Sequence, residues 1–186
     1  MTTPPPVPAD DPMFALLERE RAAFLAEVAR VPLARQAERP APDRWSVVEI
    51  VEHVARIDTG VAKLLAFRAA QPLPATPDEL AGAQFTSDKV ARVRDRAQRI
   101  EAPERVRPTG TLSPEVALEQ LTAARAALTA AYRVADPAVL DGMVHPHLLP
   151  AIGPLTLRAW VELAAHHDAR HAQQVGELAE EYGAAR

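Results

Sequence analysis

LRAWVELAAHHDARHAQQVGEL, residues Leu157–Leu178, places Leu157, Trp160, Ala164, His167, His171, Gln174 and Leu178 in steps of three and four. That spacing follows the 3.6-residue repeat of an α-helix with one buried face. His167 and His171 lie on this face four residues apart. Their Cβ atoms are therefore about 6 Å apart and both rings can reach one ion. His166 sits about 100° around the helix. It groups with Leu163, Arg170 and Gln173, at the edge of the buried face or in solvent.

Outward from this helix, Thr156 is placed to cap it. Val144–Leu155, which contains His145, Pro146 and His147, reads as an extended connection. Upstream, Ser113 caps a long helix with Pro114 at its first position, where the missing N–H costs nothing. That helix runs to about Val134 and buries Ala117, Leu121, Ala124, Leu128 and Ala131. Ser46 and Glu49 form a Ser-x-x-Glu capping box for a helix that reaches about Ala70. Trp45 and Ile50 are spaced as a hydrophobic staple around the cap. His53 falls in the inner seam of that helix, four after Glu49 and four before Ile57. Met13–Val31 reads as another helix, with Arg21 interrupting its apolar stripe and Pro32 stopping it. Gln71–Thr86 is expected to be irregular, and Ser87–Glu101 to be a shorter helix. Met1–Pro12, rich in proline, reads as a disordered tail before one domain over residues 13–186. Four long helices joined by one long middle segment give an all-α four-helix bundle with a crossover connection.

Composition narrows the function. The chain has 186 residues, of which 48% are hydrophobic and 4% aromatic, a balance that favours helices over strands. Its net charge of −4 argues against a nucleic-acid partner. The arginine-rich stretch Arg92–Arg107 also carries Asp95, Glu101 and Glu104, and reads as a solvated mixed-charge segment, with an anion site as the lesser reading. With no cysteine, disulfides, thiolate zinc sites and a cysteine nucleophile are excluded. No apolar run is long enough to span a bilayer and no signal peptide is visible, so a soluble cytoplasmic protein without a membrane partner is the expectation.

Two blocks resemble the DinB/YfiT superfamily. Trp45–His53, WSVVEIVEH, resembles its opening W-S-x-x-E-x-x-x-H. Gly153–Leu157, GPLTL, followed by His167–Gln174, HDARHAQQ, resembles its closing G-P-L-T-L…H-D-x-R-H-x-x-Q. The resemblance spans residues 13–181. It implies an up-down-down-up bundle in which one divalent metal ion, zinc or nickel, is held by His53, His167 and His171. It implies a homodimer, and for some members an enzyme that transfers a low-molecular-weight thiol such as bacillithiol, mycothiol or glutathione onto an electrophile. Hydrolysis of a small-molecule substrate is equally open to three neutral imidazoles and a cation with a free position. The alternative is a non-catalytic stress-response module that binds metal or another protein.

The neighbours of these histidines each have two readings. Glu49 completes the capping box or orients a ligand imidazole, and the box is favoured. Asp168 orients an imidazole or pairs with an arginine. Arg170 clamps a substrate carboxylate or lies in solvent. His145 and His147 line the mouth of a pocket or are polar loop residues. Trp45 and Trp160 are expected to be core anchors.

Overall fold

A computed structural model of the chain describes residues 6–97, 100–147 and 149–184. Four long helices form the body: α1 (Pro12–Arg30), α2 (Val47–Ala70), α5 (Pro114–Val134) and α7 (Leu157–Ala184). Between α2 and α5 run two short helices, α3 (Pro77–Gly82) and α4 (Ser87–Arg94), and a 3-10 turn, Glu104–Val106. After α5 come α6 (Pro137–Gly142) and two short strands, β1 (Val144–Pro146) and β2 (Pro154–Thr156).

Ion pairs and hydrogen bonds fix the helix directions. At one end of the bundle Asp11, before α1, meets Arg158 at the start of α7; at the other, the Tyr182 hydroxyl donates to the Glu38 carbonyl, so α1 and α7 are parallel. Thr109, ahead of α5, donates to Glu52 in the first half of α2, and beyond their far ends Ala75 donates to Gly142. Hence α2 and α5 are also parallel. Because α1 turns directly back into α2, with the Val48 amide on the Gln36 carbonyl, the order is up-down-down-up. The stretch from Gln71 to Ser113 is the crossover.

Each long helix begins where its sequence supplies an oxygen for the free first-turn amides. Asp11 accepts from the Met13 amide and Ser113 from the Val116 amide. Ser46 and Glu49 make the reciprocal capping box, and Thr156 accepts from the Ala159 amide.

The apolar core is divided. One cluster holds Leu17, Val61, Leu65, Leu128 and the α7 residues from Leu157 to Ala165. The other holds Phe24, Val28, Val47 to Ala55, Leu121 and the α7 residues from Ala172 to Tyr182. Between them, one on each long helix, stand four ionic residues: Arg21, Asp58 and Asp168, which are buried, and the half-buried Arg125.

Several expectations need correction. The disordered tail does not extend over Pro6–Pro12: Val7 is buried and its amide donates to the Arg133 carbonyl, while Asp11 and Pro12 start α1. Residues 1–5 of that tail lie outside the described residues. Gln71–Thr86 is not wholly irregular, because Thr76 and Glu79 build a second capping box and Pro77 opens α3. The helix at Ser87 stops at Arg94, short of Glu101. Val144–Leu155 is not simply extended: Val144 pairs with Thr156 and Pro146 with Pro154 in an antiparallel hairpin. Helix α6 was missed, although Asp136-Pro137 is a cap followed by a proline at the first position. No helix among the described residues is long and apolar enough to cross a membrane.

Candidate metal centre

The capping box starts α2 so that its inner seam carries His53, and the stripe of α7 carries His167 and His171 to the same level. The three rings meet. His167 Nε2 is 3.2 Å from His53 Nε2 and 3.1 Å from His171 Nε2. One ligand atom from each ring lies within 4.8 Å of the others, so the three histidines form a group that can hold a metal ion. His53 and His171 are buried, and His167 is half-buried.

The outer nitrogens decide what the inner ones can do. His53 Nδ1 is 2.8 Å from the Val106 carbonyl. A carbonyl only accepts, so Nδ1 carries the proton and Nε2 of the neutral ring presents a lone pair. His171 Nδ1 donates in the same way to Gln174 Oε1 at 2.7 Å. Lone pairs are thus crowded around His167 Nε2, and at most one proton is there to share. Three imidazole nitrogens around one tetrahedral ion would be about 3.3 Å apart at ordinary zinc–nitrogen lengths. The donor set therefore fits a divalent cation. His167 Nδ1 is buried without a hydrogen-bond partner among the described residues.

All three imidazoles are held below their ordinary pKa of 6.5, chiefly because burial disfavours the charged ring. For His167 and His171 the neighbouring imidazoles add to this. Neutral rings are the form that ligates a metal.

The crossover holds the site from outside. Val106 sits on the 3-10 turn that accepts from His53, and three residues on, the Thr109 amide and hydroxyl both donate to Glu52. Gly110 follows at φ +71, where a Cβ would stand 3.0 Å from Glu49 Oε1. The left-handed conformation favours glycine there, and an added Cβ would press on the Glu49 carboxylate. Trp45, just before α2, lays its ring against His53 with centroids 4.9 Å apart.

On their open side the histidines face a cleft of about 1310 Å³. Its walls include Trp45, Phe67, His145, His147 and Trp160. Trp160 stacks on His147 with centroids 5.0 Å apart, and its indole N–H donates to the His145 carbonyl. Both tryptophans therefore border the cleft as well as anchoring core.

The other sequence candidates are placed as follows. Glu49 serves the capping box and pairs with Arg39, so its oxygens are turned to the helix start and not to His53. Asp168 makes no bond to a ligand imidazole. It receives Arg21 Nε and Arg125 Nη2, each at 2.8 Å, while Asp58 receives Arg21 Nη2 at 2.8 Å and Arg125 Nε at 2.9 Å. Burial pushes Asp58 up to about 6 against the pull of both guanidiniums, and Asp168 adds to the push. Arg170 is buried rather than solvated, and its guanidinium donates to the carbonyls of Val93 and Asp95 at the end of α4. His166 corrects the expectation of an edge or solvent position: it is 8% exposed, and Arg94 Nε donates to its Nδ1 at 3.0 Å. The cause is α4 and the turn before it, which pack over that face of α7 and bring Arg94 and Phe85 onto the ring.

Sequence reasoning missed the partners. Val106 contributes a backbone carbonyl, for which no residue type is diagnostic. Gln174 stood in the inward seam, and a polar residue there was the available signal. Arg21 likewise announced itself by interrupting an apolar stripe.

A model of the DinB superfamily matches residues 16–175. The chain belongs to the DinB superfamily. It is similar to the uncharacterized protein YuaE of Bacillus subtilis (strain 168), with 27% identity over 145 residues, 77% of this chain and 82% of YuaE. Its fold matches TT2238, a four-helix bundle protein, at a TM-score of 0.57 and 23% identity, covering 90% of this chain and 98% of that one. At that identity the likeness bears on the fold alone.

Proposed function

We propose that this DinB protein is a metal-dependent enzyme in which His53, His167 and His171 hold one divalent ion, zinc or nickel. Its reaction is transfer of a low-molecular-weight thiol onto a small electrophile, or hydrolysis of one. The observation that carries the reading is the convergence of three Nε2 atoms on the wall of an open cleft, with two outer nitrogens tied to acceptors. A structural metal site is usually closed by a fourth protein ligand, whereas a catalytic one keeps a position free. Among the described residues the group has three members and opens on the cleft, which favours an enzyme over the non-catalytic module. A divalent ion in such a site makes a bound water or thiol more acidic at neutral pH. The chain's own groups do the rest. Val106 and Gln174 fix the rings of His53 and His171 in one tautomer. Trp45 and Trp160 supply apolar walls that limit water around the reacting end of a substrate.

The test is elemental analysis of the purified protein beside His167→Ala, followed by assay of a thiol panel with a chromogenic electrophile. One equivalent of metal in the wild type and none in the variant is expected, with turnover following metal. Equal metal in both proteins would remove the site. A homodimer belongs to the same proposal and is read by light scattering.

A further inference from the structure

We infer that the cleft contains an oxyanion-binding subsite, formed by Arg105, His145 and His147, that takes a carboxylate or phosphate group of the substrate. It rests on the metal reading only for where the reacting end of that substrate lies.

The chain is acidic overall, yet its cleft is not. Eight lysine and arginine side chains and three carboxylates line it among the described residues. Most of the cations are committed. Arg39 pairs with Glu49, Arg44 with Glu181, Arg56 with Glu52, Arg96 with Glu177 and Arg107 with Glu101. Arg170 holds carbonyls of the α4 end. Arg105 and Lys63 line the cleft with no carboxylate partner among the described residues.

Arg105 is the better placed of the two. It neighbours Val106, whose carbonyl holds His53, so it stands on the segment that touches the metal site. Arg105, His145 and His147 border the same cleft, and the guanidinium is near enough to disfavour the charged form of both imidazoles. These two imidazoles are also donors toward a ligand. The Leu149 amide donates to His147 Nδ1 at 3.0 Å, and Arg68 Nη2 donates to His145 Nδ1 at 3.2 Å. An amide and a guanidinium can only donate. Each ring therefore accepts at Nδ1 and, being neutral, carries its proton on Nε2. Burial chiefly favours that neutral form, helped by Arg68 at His145 and by Arg105 at both rings. Trp160 stacked on His147 holds the ring in place. One guanidinium and two imidazole rings with Nε2–H donors thus line the same cleft. Such a lining matches an oxyanion, because each of these groups donates and the guanidinium fork can bind two oxygens at once.

The test titrates the protein as purified with succinate, inorganic phosphate and the neutral succinamide, by calorimetry and by the imidazole NMR signals of His145 and His147. Succinate or phosphate is expected to bind at least about tenfold more tightly than succinamide, the size of one charge-assisted contact. The tighter of the two anions names the substrate's group. Arg105→Gln is expected to lose about tenfold in anion affinity while keeping wild-type metal content, and Arg105→Lys to recover part of the loss. His147→Phe, which keeps the stack on Trp160, should weaken the anion severalfold. Anion affinity unchanged in Arg105→Gln, or succinamide binding as well as succinate, would overturn the subsite. A protein that binds no metal but still selects succinate keeps the subsite and loses the metal reading.

Discussion

Two polar clusters sit side by side in this bundle, the histidines of one and the aspartates of the other borne by the same two helices, and they solve burial in opposite ways. Asp168 follows His167 directly on α7, and Asp58 lies five residues beyond His53 on α2. The aspartates are closed by Arg21 and Arg125: two carboxylates meet two guanidiniums, and each aspartate bonds to both arginines. The histidines have no such closure. Their inner nitrogens face one another, and His167 Nδ1 is left without a partner among the described residues. One cluster pairs both its carboxylates from its own atoms, with Arg125 Nη1 left unpaired among the described residues, and ties four helices together at the layer between the two apolar halves. The other turns three imidazole nitrogens toward one another with no counter-charge from the chain among the described residues. Buried polar groups left unpaired cost free energy, and the proposed metal ion is what would offset that cost at the histidines.

The contrast breaks most sharply at the closed cluster. Asp168→Ala leaves the buried Arg21 and the half-buried Arg125 short of a counter-charge. It is expected to cost about 3–5 kcal/mol of stability, read by urea unfolding. The open cluster responds to its ligand instead. Divalent metal at about a hundred times its dissociation constant should stabilise the wild type by about 2.7 kcal/mol, an increment that a chelator removes and that His167→Ala never shows. A thermal shift with metal as large in His167→Ala as in the wild type would erase the distinction between the clusters. Gln174→Ala removes the acceptor that orients His171 and should lower metal affinity about 10- to 100-fold, with little effect on the metal-stripped protein.

The smallest effect is on pH. The buried imidazoles hold their pKa below 6.5 in the folded chain, so as pH falls the unfolded chain takes up protons first. Stability of the metal-stripped protein is thus full above about 6.5 and lost below it, by at most about 1.4 kcal/mol per pH unit for each imidazole. His145 and His147 act in the same direction. Asp58 acts in the opposite sense, since a carboxyl raised to about 6 favours the folded state when protonated. Its stabilisation is complete below the ordinary aspartate value and lost as pH rises toward 6. Denaturation curves between pH 6.5 and 7.5, above the Asp58 midpoint, are therefore governed mainly by the imidazoles, and stability that rose on acidification through that window would contradict their burial as neutral rings.

Much of this was legible before any coordinates. The 3-and-4 seam of Leu157–Leu178, the capping box at Ser46 and the serine-proline start at Ser113 are local signals. They depend only on helix period and on free first-turn amides, and the long helices begin where those signals stand. His53, His167 and His171 could be read as inward-facing for the same reason. Arg21 was legible as an anomaly but not as a partner, because a side chain that breaks a stripe does not say what it meets.

By itself the sequence determined four long amphipathic helices and the inward face on which each histidine lies, since period and capping act over a few residues. The tertiary structure alone decided that Val106 would accept from His53, that α4 would bury His166, and that Arg125 and Arg21 would close on Asp58 and Asp168. Each of these joins residues between 37 and 147 positions apart, with the exact partners set by how the crossover and the bundle pack. A backbone carbonyl has no residue-type signature, and a charge takes its meaning from the neighbours that packing brings to it.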